Sequence, residues 1–254
     1  MFTPKGKFSW YELMTSDTTA AGKFYSDVVG WTTQQMPGDG PGYTVFNLGG
    51  VGIAGMLNVG GHTAWVGYIS VDDVDAHVER IVEAGGKQWR PTTDVPGMLR
   101  FAVMSDPQGA AIVVFTANPA MPSPERPAPP TPGTIGWHEL YTTDLDAGFD
   151  FYEKLFGWTK LTDMDMGPMG TYRLFDMGDH KEMGDGGMMF KPEQMPVCAW
   201  AFYFNVDSIG AAIERVKAGG GSVLNGPMQV PGGGWIIQGM DPQGGMFSLL
   251  SNKE

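Results

Sequence analysis

The chain is short of cysteine, histidine and basic residues: its 254 positions hold one Cys, four His and 16 Lys plus Arg, against 28 Asp plus Glu. The lone cysteine, Cys198, can close neither an intrachain disulfide nor a CxxC metal site, so packing must hold the fold, and a reducing, cytoplasmic setting is expected. The formal net charge is −12, and the basic residues are scattered singly apart from Lys5 and Lys7. Such a surface repels phosphate backbones and anionic headgroups, which argues against nucleic acid or a membrane as partner. No run approaches the roughly 18 apolar residues of a membrane helix, and Met1 to Lys7 carries no apolar leader. What the chain does have is 38 Gly, 19 Pro and an apolar share of 42%, the mark of a folded protein built from many turns and short strands.

The chain repeats itself. Trp10, Glu12, Leu13, Thr15, Asp17, Phe24, Tyr25, Gly30 and Trp31 recur as Trp137, Glu139, Leu140, Thr142, Asp144, Phe151, Tyr152, Gly157 and Trp158, each 127 residues on. Tyr43, Phe46 and Gly49 recur at 129 as Tyr172, Phe175 and Gly178, and Val95-Pro-Gly97 and Asp106-Pro-Gln-Gly109 recur at 135 as Val230-Pro-Gly232 and Asp241-Pro-Gln-Gly244. Two homologous halves are therefore expected, residues 1–117 and 133–254. Residues 118–132 join them with seven prolines, a composition that favours an extended, semi-rigid spacer.

Within the first half, Phe8 to Thr15 alternates as a strand. Asp17 or Ser16 can cap a helix carrying Ala20, Ala21, Phe24, Tyr25 and Val28 until Gly30 stops it. Tyr43–Leu48 and Val51–Leu57 read as strands about a Gly49-Gly50 turn, Trp65–Val71 as another strand, and Asp72-Asp73 opens a second helix that ends at Gly85-Gly86. Leu99–Ser105 and Ala111–Phe115 follow, joined by the Asp-Pro-Gln-Gly turn. Each half thus holds a pair of βαβββ units, an α+β fold with a helix on one sheet face and the other face free to curve around a cup or to meet a partner.

These ordered features resemble the vicinal-oxygen-chelate superfamily, which includes the glyoxalases, bleomycin-resistance proteins and extradiol dioxygenases: the opening strand, Asp17 or Asp144 with Phe-Tyr after it, the Gly-Trp helix stops, the Val-Asp helix starts and the closing Asp-Pro-Gln-Gly turn. The resemblance implies paired βαβββ modules forming curved mixed sheets. It also implies, for the members that are metalloenzymes, a ligand on the opening strand, a second His on the corresponding strand of the next unit and a Glu on the closing strand. At those places this chain has Trp10 and Trp137, then Val66 and Ala201, then Val113 and Ser248. A triad of His and carboxylate ligands is not supported there.

Strand alternation puts Glu12 on the face of Trp10, and Glu139 and Tyr141 on the face of Trp137. Either acid can orient a polar or cationic ligand, act as a base or metal ligand, or serve structurally by holding backbone amides or an indole N–H. The expected ligand face is Trp10, Glu12, Val113, Trp137, Glu139, Tyr141, Met246 and Ser248, with Glu12 and Glu139 the catalytic candidates and no metal or other cofactor. The resulting expectation is a small-molecule-binding protein, monomer or homodimer, that takes an apolar or aromatic ligand in a cup lined by Trp, Met and Glu. The alternative is a metal-dependent lyase, isomerase or dioxygenase using Glu12 or Glu139, and a third reading makes one half a scaffold for the other.

Other motifs carry less. Gly50-Val-Gly-Ile-Ala-Gly55 fits GxGxxG, but Met56-Leu-Asn-Val-Gly-Gly61 after it is no helix, so the glycines read as turn and close-packing residues. Asp163-Met-Asp-Met-Gly167 lacks the later acids of a calcium loop and reads as a flexible loop. Asp176, Asp179, His180, Glu182 and Asp185 read as a solvated hairpin loop. His138 is turned away from Trp137 and is expected to pack or make a hydrogen bond, while His62 and His77 are expected at the surface. Among the 18 methionines, those in loops and inner strands suit an adaptable apolar surface for a flat ligand.

Overall fold

The computed structural model describes residues 5–37, 42–120 and 124–254. Four βαβββ segments follow one another. The first is β1 (Phe8–Thr15), α1 (Thr18–Val29), β2 (Thr32–Met36), β3 (Tyr43–Leu48) and β4 (Val51–Asn58). The second is β5 (Ala64–Ser70), α2 (Val74–Glu83), β6 (Lys87–Gln88), β7 (Thr93–Val95), β8 (Leu99–Ser105) and β9 (Ala111–Ala117). The third is β10 (Ile135–Thr142), α3 (Leu145–Phe156), β11 (Thr159–Asp165), β12 (Thr171–Asp176) and β13 (Gly186–Phe190). The last is β14 (Ala199–Asn205), α4 (Ile209–Ala218), β15 (Ser222–Gln229), β16 (Trp235–Met240) and β17 (Met246–Ser251).

Local chemistry sets the helix ends. Asp17 accepts from the backbone N–H of Thr19 and Ala20, both at 3.0 Å, and Gly30 leaves α1 at φ 90°. Asp144 and Gly157, at φ 74°, repeat the arrangement in α3. Asp73 caps α2, and Ser208, rather than the preceding Asp207, caps α4. The buried stripe of α1 is Ala21, Phe24, Tyr25, Val28 and Val29, the helical spacing seen in the sequence.

The chain forms two compact units, and each draws on both halves. One comprises Met1–Trp10, Val66–Pro124 and His138–Trp200; the other comprises Tyr11–Trp65, Glu125–Trp137 and Ala201–Glu254. In the first unit the strand orders are β5-β9-β8-β6 and β11-β12-β13-β10, and in the second β2-β3-β4-β1 and β14-β17-β16-β15. Each strip is mixed, with β5·β9, β10·β13, β1·β4 and β14·β17 parallel and the outer pairs antiparallel. This is the α+β architecture of paired βαβββ modules.

Each unit is centred on matching aromatic clusters. In the first, the Trp158 indole N–H donates to the Gly6 carbonyl, and Trp200 donates to the Tyr152 hydroxyl at 2.8 Å, which in turn donates to Asp106 at 3.2 Å. In the second, Trp31 donates to the Gly133 carbonyl at 2.7 Å, and Trp65 donates to Tyr25, which donates to Asp241, both at 2.9 Å. Each ring removes roughly 150–250 Å² from water at about 25 cal/mol per Å², so these rings dominate the core. Burial pushes both tyrosine hydroxyls and both carboxyls above their ordinary ranges. The Asp of each Asp-Pro-Gln-Gly turn also accepts two backbone N–H groups within its own turn, at 2.8–2.9 Å.

Several expectations need correction. Asp163 and Asp165 end strand β11 and do not form a flexible loop; Arg173 holds Asp163 at 2.8 Å and lowers its carboxyl to about 2. In the 176–185 segment, Asp176 and Asp185 are buried, because their oxygens accept the N–H groups of Gly178, Lys181 and Met177 and the Lys181 ammonium. His77 is buried, bonded to the Asp73 carbonyl and stacked on Phe156, because its helix face turns inward. His62 is exposed. In the proline-rich segment, residues 121–123 lie outside the described residues, as do residues 1–4 of the N-terminal stretch, and Pro124 to Pro132 form neither helix nor strand.

Candidate functional site

Alternation along β10 sorts its side chains. His138 and Leu140 join the core, with His138 stacked 5.0 Å from Phe8 and its Nδ1–H donating to the Asp185 carbonyl at 2.9 Å. Burial of that ring lowers its pKa to about 4. Trp137, Glu139 and Tyr141 take the other face, and Glu139 and Tyr141 are both buried.

Glu139 is built in by its neighbours. In register it sits opposite Gly187 on β13, and Tyr141 sits opposite Met189, which pairs in turn with Tyr172 of β12. From there the Tyr172 ring leans over Gly187, and its hydroxyl donates to Glu139 Oε2 at 2.8 Å. A Cβ on residue 187 would overlap the tyrosine ring, so the glycine creates the space for this pair. Tyr172 was visible in the sequence only as a repeat match; its contact with Glu139 depends on the small residue between them.

The first half repeats the layout. Glu12 lies opposite Gly55 in the β1·β4 register, and the Tyr43 hydroxyl occupies the space that a Cβ on Gly55 would take. This makes Gly55, the last glycine of the GxGxxG run, a close-packing residue of strand β4.

The remaining expected residues are distributed as follows. Val113 and Ser248 are almost fully buried on the closing strands; Trp10 and Trp137 are half-buried on the opening strands; Met246 is 46% exposed at the start of β17. Ser248 sits in register between Tyr203 of β14 and Gln238 of β16, and Gln238 Nε2 donates to the Tyr203 hydroxyl across it at 3.0 Å. Sequence reading missed Tyr203 and Gln238, which no motif marks and only strand register brings together. Val66 and Ala201, where the resemblance implies a second ligand, have no donor atoms in their side chains. Among the described residues no group of three or more His, Cys, Asp and Glu is placed to hold a metal ion.

Curved mixed sheets built from paired βαβββ units define a two-module protein of the glyoxalase type. The model of the Glyoxalase/Bleomycin resistance protein/Dioxygenase superfamily matches the chain twice, at residues 7–114 and 134–249, and the chain belongs to that superfamily. It is 33% identical over 254 residues to CFP32 of Mycobacterium tuberculosis, covering 97% of this chain and 95% of that one. It is 32% identical over 273 residues to the anthracycline biosynthesis protein DnrV of Streptomyces peucetius, covering 100% and 95%. Among solved structures it is similar to the Mn(II)-bound glyoxalase from Novosphingobium aromaticivorans, with a TM-score of 0.69, 16% identity and coverage of 98% of this chain and 83% of that one. No helix among the described residues is long and apolar enough to cross a membrane.

Proposed function

We propose that the chain binds a flat apolar or aromatic small molecule on the strip faces that carry Glu12 and Glu139, and does so without a bound metal. One feature carries this reading: the positions at which the resemblance implies metal ligands hold indole, aliphatic and hydroxyl side chains, which do not fit a three-ligand divalent centre. The carboxyls that remain on these faces, Glu12 and Glu139, stand beside tyrosines and suit the orientation of a polar group on the ligand. Trp10 and Trp137 supply flat apolar surface, and the name of DnrV, which refers to anthracycline biosynthesis, fits a polycyclic aromatic ligand class. A cytoplasmic site of action belongs to the same proposal and rests on the single, buried cysteine.

The test is a titration of the purified protein with aromatic cations and quinones, read by tryptophan fluorescence and accompanied by elemental mass spectrometry of the same preparation. Saturable quenching that weakens in Trp137→Phe, with metal well below one ion per chain, is the expected result. No quenching by any compound, or stoichiometric metal, overturns it. In the latter case the burial of Glu12 and Glu139 favours the second reading, an enzyme whose activity is lost in Glu12→Gln or Glu139→Gln while folding is retained.

A further inference from the structure

Helices α1 and α4 meet within one compact unit, and their seam holds a cavity of about 550 Å³. That volume lies within the roughly 300–1,000 Å³ of ordinary small-molecule sites. The buried Phe24 ring and Pro242 of the Asp-Pro-Gln-Gly turn give it an apolar base, and Ala20, Ala218 and Gly219 give it low walls. A Cβ on residue 219 would stand 2.9 Å from the Phe24 ring, so that wall is bare backbone. Three charged side chains complete the lining. Lys23 and Asp27 pair at 2.5 Å along α1, and Arg215 of α4 donates through Nε to the Val28 carbonyl at 3.2 Å and through Nη2 to Asp207 at 2.6 Å.

Two cations and one acid thus line an apolar cavity in a chain whose net charge is −12, which makes the seam locally positive on a negative molecule. The Lys23–Asp27 pair is solvent-exposed, so exchanging Asp27 for the anion of a ligand costs Lys23 little. The Arg215 fork is fixed at the end of the seam, and its Nη1 contact to Asp207 is long, at 3.5 Å. We propose that the α1–α4 seam binds a small amphipathic anion, its apolar body against Phe24 and its carboxylate at Lys23 and Arg215. The other unit packs α3 against α2, and the repeat places different residues there: Asp150 and Lys154 stand for Lys23 and Asp27 in reversed order, Arg80 stands for Arg215, and Glu83 stands for Ala218. With a second acid in place of a small apolar residue, that seam is not a site for an anion. The assignment is independent of the ligand on the strip faces.

The experiment is isothermal titration calorimetry with octanoate and octylammonium, which share a chain length and differ in the sign of the head group. The wild-type chain is expected to bind octanoate about three- to fivefold more tightly, against the order that its net charge alone would impose. Lys23→Gln should bring that ratio to about one or below. Ala218→Glu, which installs the residue of the other seam, should weaken octanoate at least about tenfold. If Ala218→Glu melts abnormally by circular dichroism, the exposed Lys23→Gln decides the matter. Glu83→Ala, in the other seam, and Trp137→Phe, on a strip face, should leave the octanoate affinity intact. No octanoate binding, a wild-type preference for the cation, or a preference that survives Lys23→Gln overturns the assignment. So does an octanoate affinity that is unchanged in folded Ala218→Glu, or one that falls in Trp137→Phe, which would put the anion on the strip face instead.

Discussion

His138 lies one residue past Trp137, the expected ligand position on the opening strand, and its side chain packs in the core. Its ring is stacked on Phe8 and bonded to a backbone carbonyl, and its pKa is about 4 against an ordinary 6.5. Between those values the unfolded chain takes up a proton that the folded chain refuses, so this contribution to stability is complete above pH 6.5 and is lost as the pH falls towards 4. The full span is worth about 3 kcal/mol. His138→Phe keeps the ring stack and should flatten this part of the profile. Urea midpoints of the two proteins at pH 7.5 and 4.5 check it: unequal losses, larger in wild type, are expected, and equal losses would show that His138 does not titrate in this way. At this scale the sequence revealed which face each side chain of β10 takes. It did not reveal that Asp176 and Asp185 are buried, since their burial depends on which loop amides turn inward to meet them.

Among the elements, those with strong alternation or capping were legible. β1, β3, β4, β5, β8 and β9 follow from alternation or apolar runs, and α1 and α3 from Asp caps and Gly stops. β2, with the sequence Thr-Thr-Gln-Gln-Met, is exposed throughout and β11 almost so; with no face to bury, neither carries a period to read. Gly187 and Gly55 link element to site, because each lets a tyrosine of one strand reach an acid two strands away or its immediate surroundings. Gly187→Ala should cost about 1–3 kcal/mol in urea unfolding, as expected for overpacking. In the double variant with Tyr172→Ala, part of that cost should vanish. Strict additivity would place the strain elsewhere.

For the molecule as a whole, repetition and compactness divide the chain differently. Tyr25 of the first half bonds Asp241 of the second, Trp31 bonds Gly133, and Tyr152 and Trp158 of the second half bond Asp106 and Gly6 of the first. The duplication was plain in the sequence; the exchange of partners was not, because two similar copies offer each Tyr an Asp of either half. Separately produced fragments 1–120 and 133–254 are therefore expected to lack cooperative thermal unfolding alone and to regain it when mixed, monitored by near-UV circular dichroism. A sharp melt for either fragment alone would show that a half can satisfy its own core.

The same exchange changes what the proline-rich segment is for. If each core is stitched from both halves, the segment acts as a tether that raises the local concentration of one half around the other, rather than as a hinge between independent bodies. A protease that cut it would leave a nicked but assembled protein, and the loss would surface only on dilution, when a unimolecular refolding has become an encounter between two chains.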